Sequence, residues 1–114
     1  MIEPETCQTP ENCQSMADVR AGVDETDRQL SVLIARRFRY MDAAARIKPQ
    51  RDHVRDEARK AQVIANAAAH AAANGWPAAV ATDLWEVLVE ASIAYELDVF
   101  DRIRGSDVTA SGGA

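Results

Sequence analysis

Glycine, aromatic residues, cysteine and positive charge are all scarce in this chain, and each shortage narrows what it can be. Five glycines in 114 residues leave no Gly-rich loop of the kind that cradles phosphates. Aromatics make up only 5% of the residues while 47% are hydrophobic, with alanine prominent, a balance that suits a small all-helical protein. The formal net charge is −5, which argues against nucleic acid or an anionic membrane surface as a partner. No apolar run approaches the ~20 residues needed to span a bilayer. The opening segment MIEPETCQTPENCQ is acidic and polar rather than a signal peptide, so a cytoplasmic location is expected. Cys7 and Cys13 both fall in this segment, outside any periodic pattern, with no further Cys or His beside them. They read as two reduced thiols rather than a disulfide or half a metal site. There is no C-x-x-C and no metal-ligand cluster, and His53 and His70 lack triad-like partners and read as surface residues. Cofactor-free chemistry is expected.

What is present is helical periodicity. Met16, Val19, Val23, Leu30, Leu33, Tyr40, Met41, Ala44 and Ile47 mark one apolar stripe with 3–4 spacing. The pattern predicts a helix over 16–47, opened by a weak capping box of Ser15 and Asp18 and closed by Pro49. A polar loop (49–54) leads to an alanine-dense second helix over 55–74, which Asn74-Gly75 terminates. A third helix begins at Pro77 and is expected to end at Ile103, with Trp85, Leu88, Ser92, Val99 and Ile103 along one face. The organisation expected is a flexible tail over 1–14, one helical domain over 15–104 and a disordered tail over 105–114. The fold class is all-α, with one long and two shorter helices. About 32 residues at 1.5 Å each make the first helix about 48 Å long. The radius of gyration of a 100-residue domain is only about 13 Å. Such a rod must either break or pair with a second copy, and an intertwined homodimer is the expectation.

Two cations sit where that stripe should be apolar. Arg37 occupies the position four residues after Leu33, and Lys48 lies three turns further on and about 20° round. An unpaired buried charge costs several kcal/mol, and no carboxylate shares the stripe, so an external anion is the first hypothesis. Arg20 lies about 25 Å from Arg37 along the axis and could reach the same ligand only from an antiparallel partner helix. Asp56, Arg59 and Lys60 are charged residues at the start of the second helix. Ser92 and Glu96 share the apolar face of the third. Glu96 is either the partner of a cation across the bundle or a protonated carboxyl able to donate a hydrogen bond. A cation-lined pocket with one carboxyl suits electrostatic stabilisation and positioning rather than covalent catalysis.

The stretches ADVRAGVDETD, ARRFRYMDAAARIK, VRDEAR and ASIAYE resemble the AroQ class of chorismate mutases and the related isochorismate-pyruvate lyases, over about residues 9–104. The resemblance implies a cofactor-free [3,3] rearrangement of chorismate to prephenate for phenylalanine and tyrosine biosynthesis. It implies that Arg20 is contributed by the partner subunit, and that Arg37 and Arg59 bind carboxylates. Lys48 would bond the ether oxygen and a carboxylate, with Asp56 and Ser92 lining the pocket. Glu96 stands where many bacterial members carry Gln. Lys60 stands where the family has a glutamate that contacts the substrate hydroxyl. TPENC before the first helix is lyase-like, whereas VRD and Ser92 are mutase-like. The rivals are isochorismate-pyruvate lyase, 4-amino-4-deoxychorismate mutase and, in a different class, a non-catalytic helical dimer.

Ionised, Glu96 would repel a dianionic substrate and could not donate to its ether oxygen. Activity is therefore expected to fall with rising pH as Glu96 loses its proton, and Glu96→Gln to flatten that profile. The measurement is kcat/KM against pH for both proteins; an unchanged pH dependence in the variant overturns this role.

Overall fold

The computed structural model describes residues 7–112, with side chains described up to Gly105. Three α-helices account for nearly all of it: α1 (Met16–Ile47), α2 (Glu57–Ala73) and α3 (Ala78–Gly112), with short 3-10 turns at Pro10–Asn12 and Arg51–His53. The all-α reading holds. The long first helix is unbroken and ends where the sequence placed its ends. α3 instead continues past Ile103 to Gly112, beyond the expected stop; no proline interrupts this stretch. Of the two expected tails, residues 1–6 and 113–114 lie outside the described residues.

Local chemistry explains each boundary. Ser15 Oγ accepts from the Asp18 amide at 3.1 Å, and Asp18 Oδ2 accepts from the Gln14 amide at 3.0 Å, a reciprocal arrangement close to a capping box. Asp56 caps α2 by accepting from the Arg59 amide at 3.0 Å, which places the helix start just after the expected Arg55. α2 ends in a Schellman motif. The Trp76 amide donates to Ala71 O and the Gly75 amide to Ala72 O, with Gly75 at φ 83°, a left-handed conformation that glycine adopts without a Cβ penalty. Pro77 opens α3, its carbonyl accepting from Val80 and Ala81.

The chain forms two compact units that divide within α1, between Arg39 and Tyr40. In the first, Cys7 Sγ donates to Ala21 O at 3.3 Å and Cys13 Sγ to Thr9 O at 3.5 Å; neither is in a disulfide. Among the described residues, Met16, Val19, Val23, Leu30 and Leu33 of the stripe read as core-facing are all exposed, Val23 at 52%.

The second unit holds the core. Ala67 and Ala71 of α2 meet Ala81 of α3, with Trp85 against them. Small side chains here let the two backbones approach closely, and methyl groups fill the seam without strain. A second cluster gathers Ala45, Val54, Val89, Ile93, Val99 and Phe100. It joins the last turns of α1 and the loop to α3. The two polar side chains buried in this unit are Ser92 and Glu96, at 3% and 4% exposure. Among the described residues no helix is long and apolar enough to cross a membrane.

Candidate active site

Ser92 and Glu96 are one turn apart, so α3 carries both into the core on the face that also buries Val89, Ile93 and Val99. Ser92 Oγ donates to its own helix at Leu88 O, 2.7 Å. Glu96 has no such local answer, and a buried carboxylate is costly unless paired. Lys48, the residue just beyond the end of α1, supplies the pair: its Nζ lies 2.7 Å from Glu96 Oε2. Lys48 keeps 30% side-chain exposure against 5% for Glu96, so the cation sits at the rim and the acid behind it. Oε2 receives no hydrogen bond among the described residues. The contact with Lys48 is a close ion pair at 2.7 Å. A lysine with three donors, half exposed and so loosely directed, can turn to a second anion.

Of the two sequence alternatives for Glu96, the structure contains the cation across the bundle. Lys48 is thus not an unanswered charge; its carboxylate comes from α3, 48 positions further along the chain.

Interactions around Lys48 anchor this end of α1. Tyr95 Oη donates to Asp42 Oδ1 at 2.7 Å, and the Asp42 carboxylate beside it raises the Tyr95 phenol above its ordinary range. Arg51 grips Asp101 with two bonds of 2.8 and 3.1 Å, which holds the Asp101 carboxyl below the usual carboxylate range.

The remaining expected site residues fall in three places. Asp56 and Arg59 are both exposed; Asp56 accepts the Arg59 amide, while the Arg59 guanidinium bonds Gln62 at 2.7 Å. Lys60 turns toward α3, its Nζ 2.8 Å from Glu86 and 2.6 Å from Glu90. Arg20 and Arg37 lie on the part of α1 that belongs to the first unit, Arg20 exposed and Arg37 half-buried. His53 and His70 are exposed. A groove of about 500 Å³ runs between the N-terminal segment and α1 in the first unit, lined by Cys7, Pro10, Cys13, Val19 and Val23 among others. None of the expected site residues lines it, and its lining carries no lysine or arginine.

Sequence reasoning missed Glu86 and Glu90. Their i,i+4 spacing on α3 was a visible signal, since two acids one turn apart form a ready receptor for a lysine. With Arg55 bonding Glu90 through two nitrogens at 2.7 and 3.1 Å, they tie the start of α2 to α3.

Residues 19–97 match the family described as chorismate mutase type II. The chain is also similar to an isochorismate pyruvate lyase from Pseudomonas aeruginosa, 28% identical over 99 residues, an overlap of 87% of this chain and 98% of the relative.

Hydrogen bonds from Arg55 and then Lys60 hold the Glu90 carboxyl down at about 2, from an ordinary value of 4.5. A depressed acid adds stability above its unfolded value, and that stability is lost as pH falls through the folded one. Between about pH 5 and about pH 2.5, Glu90→Gln should therefore lose less stability than the parent. Urea unfolding midpoints at both ends check this; parallel losses in the two proteins refute it.

Proposed function

The chain belongs to the type II chorismate mutase family, and from that premise we propose that it is a chorismate mutase acting by electrostatic positioning. The observation that carries this reading is the Lys48–Glu96 pair: a rim cation at 2.7 Å from a buried acid. In chorismate the enolpyruvyl arm folds over the ring, the ether C–O bond breaks as a C–C bond forms, and no proton is gained or lost. Such a reaction asks for a held conformation and for donors at the oxygen where negative charge grows.

Lys48 is suited to the ether oxygen and a neighbouring carboxylate. Glu96 stands directly behind it, its Oε2 2.7 Å from the ammonium. Arg37 and Arg59 carry planar forks that match carboxylates. Asp56 and Ser92 line the pocket. Lys60, drawn to Glu86 and Glu90, stands at the position associated with the ring hydroxyl.

Arg20 is assigned to the site of the other copy in a homodimer. The exposed apolar stripe Met16, Val19, Val23, Leu30 and Leu33 supports that assignment, because monomers seldom leave so continuous an apolar strip in water. Val80, Leu84 and Val87 of α3 are exposed in the same way.

A second reading is isochorismate-pyruvate lyase, in which the same cations would hold isochorismate while the ether bond breaks to give salicylate and pyruvate. The Pseudomonas aeruginosa relative favours it, as does TPENC ahead of α1.

Incubation with chorismate and, separately, with isochorismate separates the two readings through prephenate and salicylate formation. Prephenate is the expected product; salicylate alone selects the lyase, and turnover of neither rejects both. Lys48→Ala should lower kcat at least 10²–10³-fold, about the loss typical of one such donor. Subunit sharing has its own test. Arg20→Ala and Arg37→Ala should each be nearly inactive, yet a mixture of refolded subunits should recover about a quarter of parental activity, since half the dimers then hold one intact site. No recovery on mixing refutes the shared site.

A further inference from the structure

The end of α1 has a defect written into the sequence. In a continuing helix Ala45 O would accept from the amide of residue 49, but residue 49 is proline and has no N–H. Lys48 itself still donates to Ala44 O at 2.9 Å. The Ala45 and Lys48 carbonyls are left among the orphan acceptors of the helix terminus, and Ala45 is fully buried at 0% exposure. A buried carbonyl without a donor costs about 1–3 kcal/mol.

Arg104 of α3 answers both. Its Nη1 donates to Ala45 O at 2.9 Å and its Nη2 to Lys48 O at 2.6 Å. The guanidinium carbon lies 3.8 Å from the centre of the Phe100 ring, one turn back on the same helix, a stacking that fixes the plane of the fork. Its charge also sits at the negative end of the α1 dipole. Glu96 is two turns before Arg104 on α3. Lys48 is therefore held by one helix at two points: its main chain by Arg104 and its ammonium by Glu96.

We propose that Arg104 is the positioning residue for Lys48, anchoring its backbone so that the ammonium can leave Glu96 for a ligand while its root stays in place. The proposal rests on the reading that Lys48 meets the substrate. Asp42–Tyr95 and Arg51–Asp101 fasten residues six positions before and three after Lys48, whereas Arg104 bonds the Lys48 carbonyl itself and so holds the root of the side chain when the ammonium turns away. With the backbone clamped, the swing is confined to the four-carbon stem.

The test uses the full chain and whichever of chorismate or isochorismate the parent converts. Arg104→Met keeps an apolar stem against Phe100 and removes both donors. It is expected to lower kcat about tenfold with KM changed by less than about twofold. Arg104→Lys, able to reach one carbonyl, should recover part of the loss. In a Lys48→Ala background, Arg104→Met should cost nothing further, because both changes act through one group. An unchanged kcat, or a loss that simply adds to that of Lys48→Ala, overturns the proposal. Hydrogen exchange provides a readout free of substrate. The Lys48 amide should exchange about tenfold faster in Arg104→Met, while amides of α2 keep their protection. Equal exchange at Lys48 overturns the clamp whatever the activity. If the parent converts neither compound, the functional reading fails, and exchange at Lys48 alone decides whether the clamp exists.

Discussion

One buried ion pair organises the second unit. Glu96 lies on a face of α3 that is otherwise filled by Val89, Ile93, Val99 and Phe100, and it can occupy that face only because Lys48 reaches it. Replacing both groups by hydrocarbon of similar volume is often neutral or stabilising in such settings, whereas removing one partner strands a charge. The pair is thus poorly explained as a device for stability. On the proposed reading the pair serves an anion instead: the ammonium has Glu96 as one partner and an arriving carboxylate as a competing one.

The rest of the second unit brings the two partners into register. Pro49 stops α1 immediately after Lys48, and Arg104 closes the carbonyls this leaves open. Arg51–Asp101 and Asp42–Tyr95 fasten the same junction on either side. α2 is placed by a different mechanism, an alanine seam against α3 and the Arg55–Glu90–Lys60–Glu86 cluster at its first turn. That cluster commits Lys60 to acids on α3. Two glutamates one turn apart thus take up the charge of Lys60. Those paired contacts are half-exposed and screened, so their weight lies more in orientation than in net stability.

Much of the fold was legible in the sequence because its signals are local. The 3–4 spacing of apolar residues, Ser15 and Asp18 at one end and Pro49 at the other delimit α1, and Asn74-Gly75 supplies a left-handed residue where α2 must stop. The exception was the far end of α3, where the expected stop at Ile103 leaned on a low-complexity composition that contains no proline, and the helix runs on through Gly105. The meaning of the α1 stripe was also only half legible. Periodicity identifies a face that seeks apolar company, and among the described residues that face is exposed.

By itself, the sequence determined the helices, their limits and the list of charges out of place on apolar stripes, since these depend on neighbours within a turn or two. Only the tertiary structure decided which charge answers which. Lys48 and Glu96 are separated by α2 and two turns, so no helical spacing relates them, and the choice between an unmet cation and a paired one depends on how α3 packs. Arg104 shows the same limit more sharply. As a letter near the end of the chain it looks like any solvated arginine. Its role appears only when packing sets its fork against two carbonyls that a distant proline has left without donors.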